Sequence, residues 1–358
     1  MITTGRKRNW LSAAVVTGCA MLLLVASRPR DVRYQVFAAP KQELFWPPLK
    51  QEARIQYLAE FQTAKDLKLK RHSALAAVLR KIIGLEDGEP RMVAPYGMAS
   101  DSQGRLIVAD TRLRAVHVFD FARRRYELLR TKGREAMVSP VGVAVDGADT
   151  IYVSDSYLGK VFVFRADGRL KKVLGEPEGQ YKRPTGIAID KAAGRLYVVE
   201  TLRNNVLALD LEGREQFRFG RRGEGEGEFN APTQICVAGG QVLVTDTLNG
   251  RVQRFSMEGK YLGRVGRFGN GPGLLDKPKG ISLDSEGHIY VVEGLHDVVQ
   301  VFDREGRFLL DFGSTGSGPG QFYLATGIHI DASNRIFVAD ARRIQVFQYL
   351  ARSGEAGD

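Results

Sequence analysis

Along most of this chain, apolar and polar residues alternate in short runs with the period of two that marks a half-buried strand. Pro140-Val141-Gly142-Val143-Ala144-Val145-Asp146 is one such run, and Ile151-Tyr152-Val153-Ser154-Asp155 is the next. A third, Val161-Phe162-Val163-Phe164, closes at the turn Ala166-Asp167-Gly168, and a fourth from Leu170 to Leu174 ends at Gly175. The β-branched and aromatic enrichment, with Asp-Gly or Glu-Gly between the last two runs, predicts hairpin-connected antiparallel strands. Later units repeat that turn as Glu212-Gly213, Glu258-Gly259 and Glu305-Gly306.

The four-strand unit recurs. Its second strand ends in an acid at Asp110, Asp155, Glu200, Asp246, Glu293 and Asp340, spaced 45, 45, 46, 47 and 47 residues apart. A period in the forties with several strands per unit predicts an all-β, six-bladed β-propeller of four-stranded antiparallel blades. One blade cannot cover both of its apolar faces until like blades flank it. The sixth unit stops after its third strand, whereas Arg54 to Phe61 is a spare strand of matching character ahead of the first unit. The expectation is that this amino-terminal strand completes the sixth blade, closes the ring and removes an open edge.

Four elements carry a resemblance: Pro-x-Gly-Ile, an Ile-Tyr-Val strand ending in the acid, Val-Gln-Val-Phe, and Phe-Leu-x-x-Phe-Gly. They stand most fully between Pro278-Lys279-Gly280-Ile281 and Phe308-Leu309-Leu310-Asp311-Phe312-Gly313. This pattern resembles NHL repeats over about Arg54 to Leu350, and Phe45-Trp46-Pro47-Pro48 is similar to the start of the exported bacterial kind. Gln234 replaces the opening glycine of unit four, and Ala325 the proline of unit six.

The remaining segments differ in character. Arg6-Lys7-Arg8 precede an uncharged apolar run from Trp10 to Ala26, so residues 1–33 read as an export signal or amino-terminal membrane anchor. Cleavage would fall after Ser27 or Ala39. Val16-Thr17-Gly18-Cys19 also resembles a lipoprotein processing box, against which the chain stays apolar for seven residues beyond Cys19. Either route places the propeller on the outer side of the inner membrane, a periplasmic or envelope location. Residues 34–53 read as a linker and 351–358 as a tail.

Within 64–90 the rhythm breaks. Leu75, Val78, Leu79, Ile82 and Ile83 form a helical stripe over 73–84, with Ser73 as N-cap and Gly84 beyond the C-terminus. This insertion reads as a helix packed near the closure seam. The flanking Lys68, Lys70, Arg71, Arg80 and Lys81 suit the alternative, a membrane-interface or partner-docking helix.

The net charge of +11 belongs in good part to the leader, where Arg6, Lys7, Arg8, Arg28, Arg30 and Arg33 face only Asp31. What remains is scattered through loops, so nucleic-acid binding is not read from it. With two cysteines, Cys19 and Cys236, no disulfide framework is implied.

An acid present once per unit serves the unit. The six repeat acids are therefore read as structural, each bracing the loop that follows it. Functional residues should differ between units at equivalent places on the mouth that the loops share. These are Tyr96 and Lys279 between the proline and glycine positions; Arg112, Arg114, Tyr157, Arg203, Asn249, His296 and Arg342 after the acids; and His329, where other units have a small residue. Such a lining suits an anionic or carbohydrate ligand, or an envelope protein.

The resemblance also implies an alternative, since some NHL-type propellers are lyases holding zinc with several axial histidines. Here His296 and His329 are the two with access to the mouth, short of the usual three protein ligands. No cofactor, metal or catalytic set is assigned. The reading is a monomeric, exported binding scaffold working through its axial face; the alternative is a metal-dependent lyase or lactonase-like hydrolase at the same mouth.

Overall fold

The computed structural model describes residues 37, 40, 42–71, 90–133, 136–175 and 181–351. The helix expected at 73–84 lies outside them, as does the expected leader.

The described residues form six sheets. Blade 1 runs Pro95–Ser100, Leu106–Asp110, Ala115–Asp120 and Arg125–Leu129, from inner to outer strand. Blades 2 to 5 repeat this order from inner strands Pro140–Val145, Pro184–Asp190, Pro232–Ala238 and Pro278–Leu283. All the strand pairs inside these blades are antiparallel, and each inner strand carries a register shift just after its opening proline. Blade 6 has Ala325–Ile330, Arg335–Asp340 and Arg343–Tyr349, and its outer strand is Ile55–Phe61 from the other end of the chain. Phe45–Trp46, within the stretch expected as linker, adds a fifth strand beyond it. The reason is packing: the Trp46 ring sits 6.0 Å from Phe312 and 5.8 Å from Phe347, which holds this segment on the sheet. Lys70–Arg71, at the start of the expected insertion, pairs parallel with the outer strand of blade 1.

The core sits between the blades. Each apolar cluster spans two neighbouring sheets: Val118 and Leu129 with Val153 and Phe162, then Val163 and Leu174 with Leu196 and Leu207, and so round the ring. The last cluster joins Phe337 and Val346 of blade 6 to Phe119 and Tyr126 of blade 1. A blade's two faces are therefore covered only by its neighbours, and this explains the need for a complete ring.

The inner strands meet around the axis in the order of the blades. Their glycines permit the approach. A side chain at Gly186 would place its Cβ 2.7 Å from the Gln234 Cα, and one at Gly280 would lie 2.7 Å from the Ile328 nitrogen. The same collision meets any Cβ at Gly97, Gly142 or Gly327, the last against Tyr96 of blade 1. Threonine hydroxyls add stitches between blades, Thr111 to Pro140 O at 2.8 Å, Thr201 to Pro232 O at 2.8 Å and Thr326 to Pro95 O at 3.1 Å. Among the described residues no helix is long and apolar enough to cross a membrane.

Candidate functional site

The repeat acids are buried, and each accepts at least one hydrogen bond from a backbone amide. Asp155 accepts from the amides of Val138 and Ser139 at 2.7 and 2.9 Å, and from those of Tyr157 and Leu158 at 3.1 and 2.9 Å. Glu293 does the same with Asp276, Lys277 and Leu295. Asp155 and Glu293 thus tie the loop after their own strand and also the connection entering their blade some sixteen residues earlier; Glu200, Asp246 and Asp340 hold that connection through the amides of Lys182, Asn230 and Tyr323. That second partner is invisible in local sequence, because it forms only when the first two strands pair. Around Asp110, burial disfavours the charge. Hydrogen bonds from His117 and from the amides of Val93, Leu113 and Ala94 outweigh it and hold the carboxyl below the usual range. Asp246 shows the opposite balance: burial raises its pKa despite Asn230, Asn249 and Arg251.

Several expected mouth residues serve the frame. Asn249 donates to Gly223 O and Asp246 Oδ2, both at 2.9 Å. Lys279 leans toward blade 6, with Nζ 3.4 Å from Ala325 O; burial lowers its pKa, opposed by Asp297 and Glu293. Arg203 is exposed and pairs with the buried Glu200 at 3.1 Å. Arg112, Arg114, Tyr157 and Arg342 are exposed on the loops after the acids. His296 lies in the equivalent loop of blade 5, its Nε2 buried without a hydrogen-bond partner.

The structure brings two of the expected residues, Tyr96 and His329, to one axial cavity of about 230 Å³. They line it from different levels. Tyr96 lies at the opening of its strand, and burial raises its pKa against the opposing Arg183 charge. His329 pairs across to Phe337, near the far end of its strand, whereas Ala325 pairs with Asp340. His296 follows an acid at the Ala325 end of the sheets. The two histidines expected to share a mouth therefore stand toward opposite ends of the axis.

His329 instead meets Ser100 of blade 1, Nε2 to Oγ at 2.7 Å, across 229 residues of sequence. Its ring stacks on Phe337 at 6.4 Å. Half-buried in the cavity wall, it is poorly hydrated, and this lowers its pKa to about 4. Asp331 opposes that shift, while Arg335 and Lys191 add to it. The imidazole is therefore neutral at pH 7, and its tautomer sets whether Nε2 or the serine hydroxyl donates.

Ser100 and Lys191, which sequence reasoning passed over, also line the cavity, as do Gln234 and Ser282, which it did not assign to the site. Gln234, where other units have glycine, leaves its Nε2 buried and unpartnered. Ser282 Oγ accepts from the Ile330 amide at 3.0 Å. Cys236 is a free thiol whose pKa burial pushes up to about 12, so it is not a nucleophile at neutral pH. Val143, Ile187, Ile189 and Ile281 supply apolar wall. Comparing the residue after each expected axial position across units would have flagged Ser100, since the others there are Val145, Ile189, Val237, Leu283 and Ile330. Among the described residues, no three His, Cys, Asp or Glu side chains converge as a metal-holding group.

Six radial four-stranded sheets around an axial cavity, with aliphatic walls and a few polar side chains, define a six-bladed β-propeller. The chain belongs to the family described as 6-bladed beta-propeller, whose model matches residues 97–219, 223–295 and 274–356. Among solved structures, it is similar to a streptogramin B lyase, at 14% identity and a TM-score of 0.55, covering 72% of this chain and 94% of that one. It is likewise similar to the virginiamycin B lyase of Staphylococcus aureus, at 13% identity and a TM-score of 0.54 over 73% and 96%. An auxiliary nutrient binding protein from Bacteroides thetaiotaomicron VPI-5482 matches at 13% identity and a TM-score of 0.57 over 74% and 71%. At these identities the likeness is one of fold. No curated protein matches the sequence.

Proposed function

We propose that this chain is an exported, NHL-type binding propeller of the cell envelope that takes a small anionic ligand in its axial cavity. The observation that carries the reading is the cavity's polar cluster. Ser100 and His329 hydrogen-bond each other, with Lys191 lining the same cavity and bringing positive charge within reach of the imidazole. A neutral imidazole, two hydroxyls and one ammonium among isoleucine and valine walls suit a small carboxylate with an apolar body. Export is supported by Arg6-Lys7-Arg8 ahead of the uncharged run from Trp10 to Ala26. Both kinds of protein, a nutrient-binding one and lyases, occur among the propellers of similar fold.

The Ser100–His329 pair favours a second reading, an ester or lactone hydrolase. In it, His329 Nε2 takes the proton as Ser100 Oγ attacks the carbonyl, then gives it to the alcohol oxygen that leaves. Water next attacks the acyl-serine by the same route and frees the acid and Ser100. One experiment separates the two. Short-chain lactones and their ring-opened hydroxy acids are titrated into the purified chain, following both heat and product. Binding of the hydroxy acid without turnover, weakened at least about tenfold in Lys191→Ala, supports the binding reading. Turnover abolished in Ser100→Ala supports the hydrolase. Neither binding nor turnover, in a chain that melts cooperatively, sinks both.

A further inference from the structure

The second residue after the repeat acid is, blade by blade, Arg112, Tyr157, Leu202, Leu248, Leu295 and Arg342. The strands place these six at one register position of six radially repeated sheets, on the face where the loops after the acids emerge. The four apolar members belong to consecutive blades, and all are exposed: Tyr157 by 77%, Leu202 by 65%, Leu248 by 49% and Leu295 by 56%. A single exposed leucine needs no account, but an arc at one repeat position across four blades does. In blade 6 the arc continues into Tyr323 and Leu324, exposed by 57% and 54% in the connection just before the inner strand.

The exposed charges on the loops after the acids are all positive, and the neighbouring connections add Lys182, Arg183, Arg221 and Arg222 against Glu224 and Glu226. Arg112, Arg114, Arg203 and Arg342 are exposed on these loops, while the repeat acids beneath are buried. The other acid in the loops, Asp297, is also buried and accepts from the Ala325 amide. Two of the loops are anchored at or beside their apolar tips. Backbone bonds from Ser156 to Ser139 O at 2.9 Å and from Leu248 to Asn230 O at 3.0 Å tie them to the entering connections.

We infer that this face docks onto an anionic lipid bilayer. The apolar tips stand up singly from successive blades instead of lining a groove, so they suit a flat, apolar medium that each can enter on its own. Arginines flanking them at the same level suit the phosphates of that surface. This assignment is independent of what the axial cavity binds.

The test reads the rim itself, because the full chain also carries the apolar run from Trp10 to Ala26. Leu248→Trp in the full chain is mixed with vesicles of phosphatidylglycerol and phosphatidylcholine whose acyl chains are brominated. The emission it adds over the unsubstituted chain should shift to the blue and be quenched. Pure phosphatidylcholine should give much less quenching. Replacing Arg112 or Arg342 by Gln should weaken the rim's partitioning about fivefold each, with the melting temperature unchanged. Emission that stays unquenched in anionic vesicles overturns the assignment. So does quenching that is indifferent to lipid charge and to both arginine replacements. Photocrosslinks from the rim to an acidic protein in place of lipid, in native membranes, would also overturn it.

Discussion

Asp110 is fully buried and accepts three amide hydrogen bonds, with His117 Nε2 at 3.4 Å. Because its pKa lies below the unfolded value, the stability it contributes is fully present above about pH 4 and is lost as pH falls through the folded pKa. Asp110→Asn should cost about 2–3 kcal/mol at neutral pH, since amide donors are left short of an acceptor, and should flatten the acid limb of stability against pH. Urea melts between pH 3 and 7 check this, and an unchanged acid limb refutes it. His329 acts in a higher window. Its pKa is depressed to about 4, so the unfolded chain takes up a proton first and stability falls from about pH 6.5 to 4. That these acids serve the frame was legible from their recurrence. The partner of His329 was not, since Ser100 is brought to it only by the meeting of first and last blades.

At the scale of the element, two devices recur with the repeat. In blades 4, 5 and 6 a strand-three glutamine clips the glycine-rich connection entering its blade. Gln253, Gln300 and Gln345 accept from Gly227, Gly273 and Gly320 at 3.0, 2.8 and 2.8 Å. Blade 1 has His117 there, bonded to Tyr126 Oη at 2.9 Å, which makes this buried histidine structural. The second device is the inner-strand glycine. Gly186→Ala would force a Cβ against the backbone of blade 4 and should cost about 1–3 kcal/mol. Gly147→Ala, with nothing within 4 Å of the new Cβ, should change stability by less than about 0.5 kcal/mol. Thermal melts of the two variants compare them directly, and equal losses would refute the close approach. Turns and strands were readable here because Asp-Gly and Glu-Gly chemistry is local. The role of Phe45–Trp46 was not, because the rings that hold Trp46, Phe312 and Phe347, lie far along the chain.

Over the whole molecule, one sheet joins both ends of the chain. Ile55–Phe61 pairs with Arg343–Tyr349 along its length, and Phe61 packs 5.1 Å from Phe119 of blade 1. A chain beginning at Pro95 would leave the edge of blade 6 unpaired and part of the apolar seam between blades 6 and 1 open to water. It should melt well below a chain beginning at Lys41 and with less cooperativity, an outcome calorimetry measures. Coincident melts would show that the amino-terminal strand adds nothing to the ring.

The residues alone determined the blade, its count and its turns, because period, strand alternation and turn chemistry act within a few residues and repeat. Only the tertiary structure decided which side chains share a cavity or a rim. The radial order of the sheets makes Ser100 and His329 neighbours and sets Tyr157 and three leucines of later blades on one rim. No local rule of sequence encodes that order, because the apolar burial driving it is non-directional and indifferent to which loop residues it brings together.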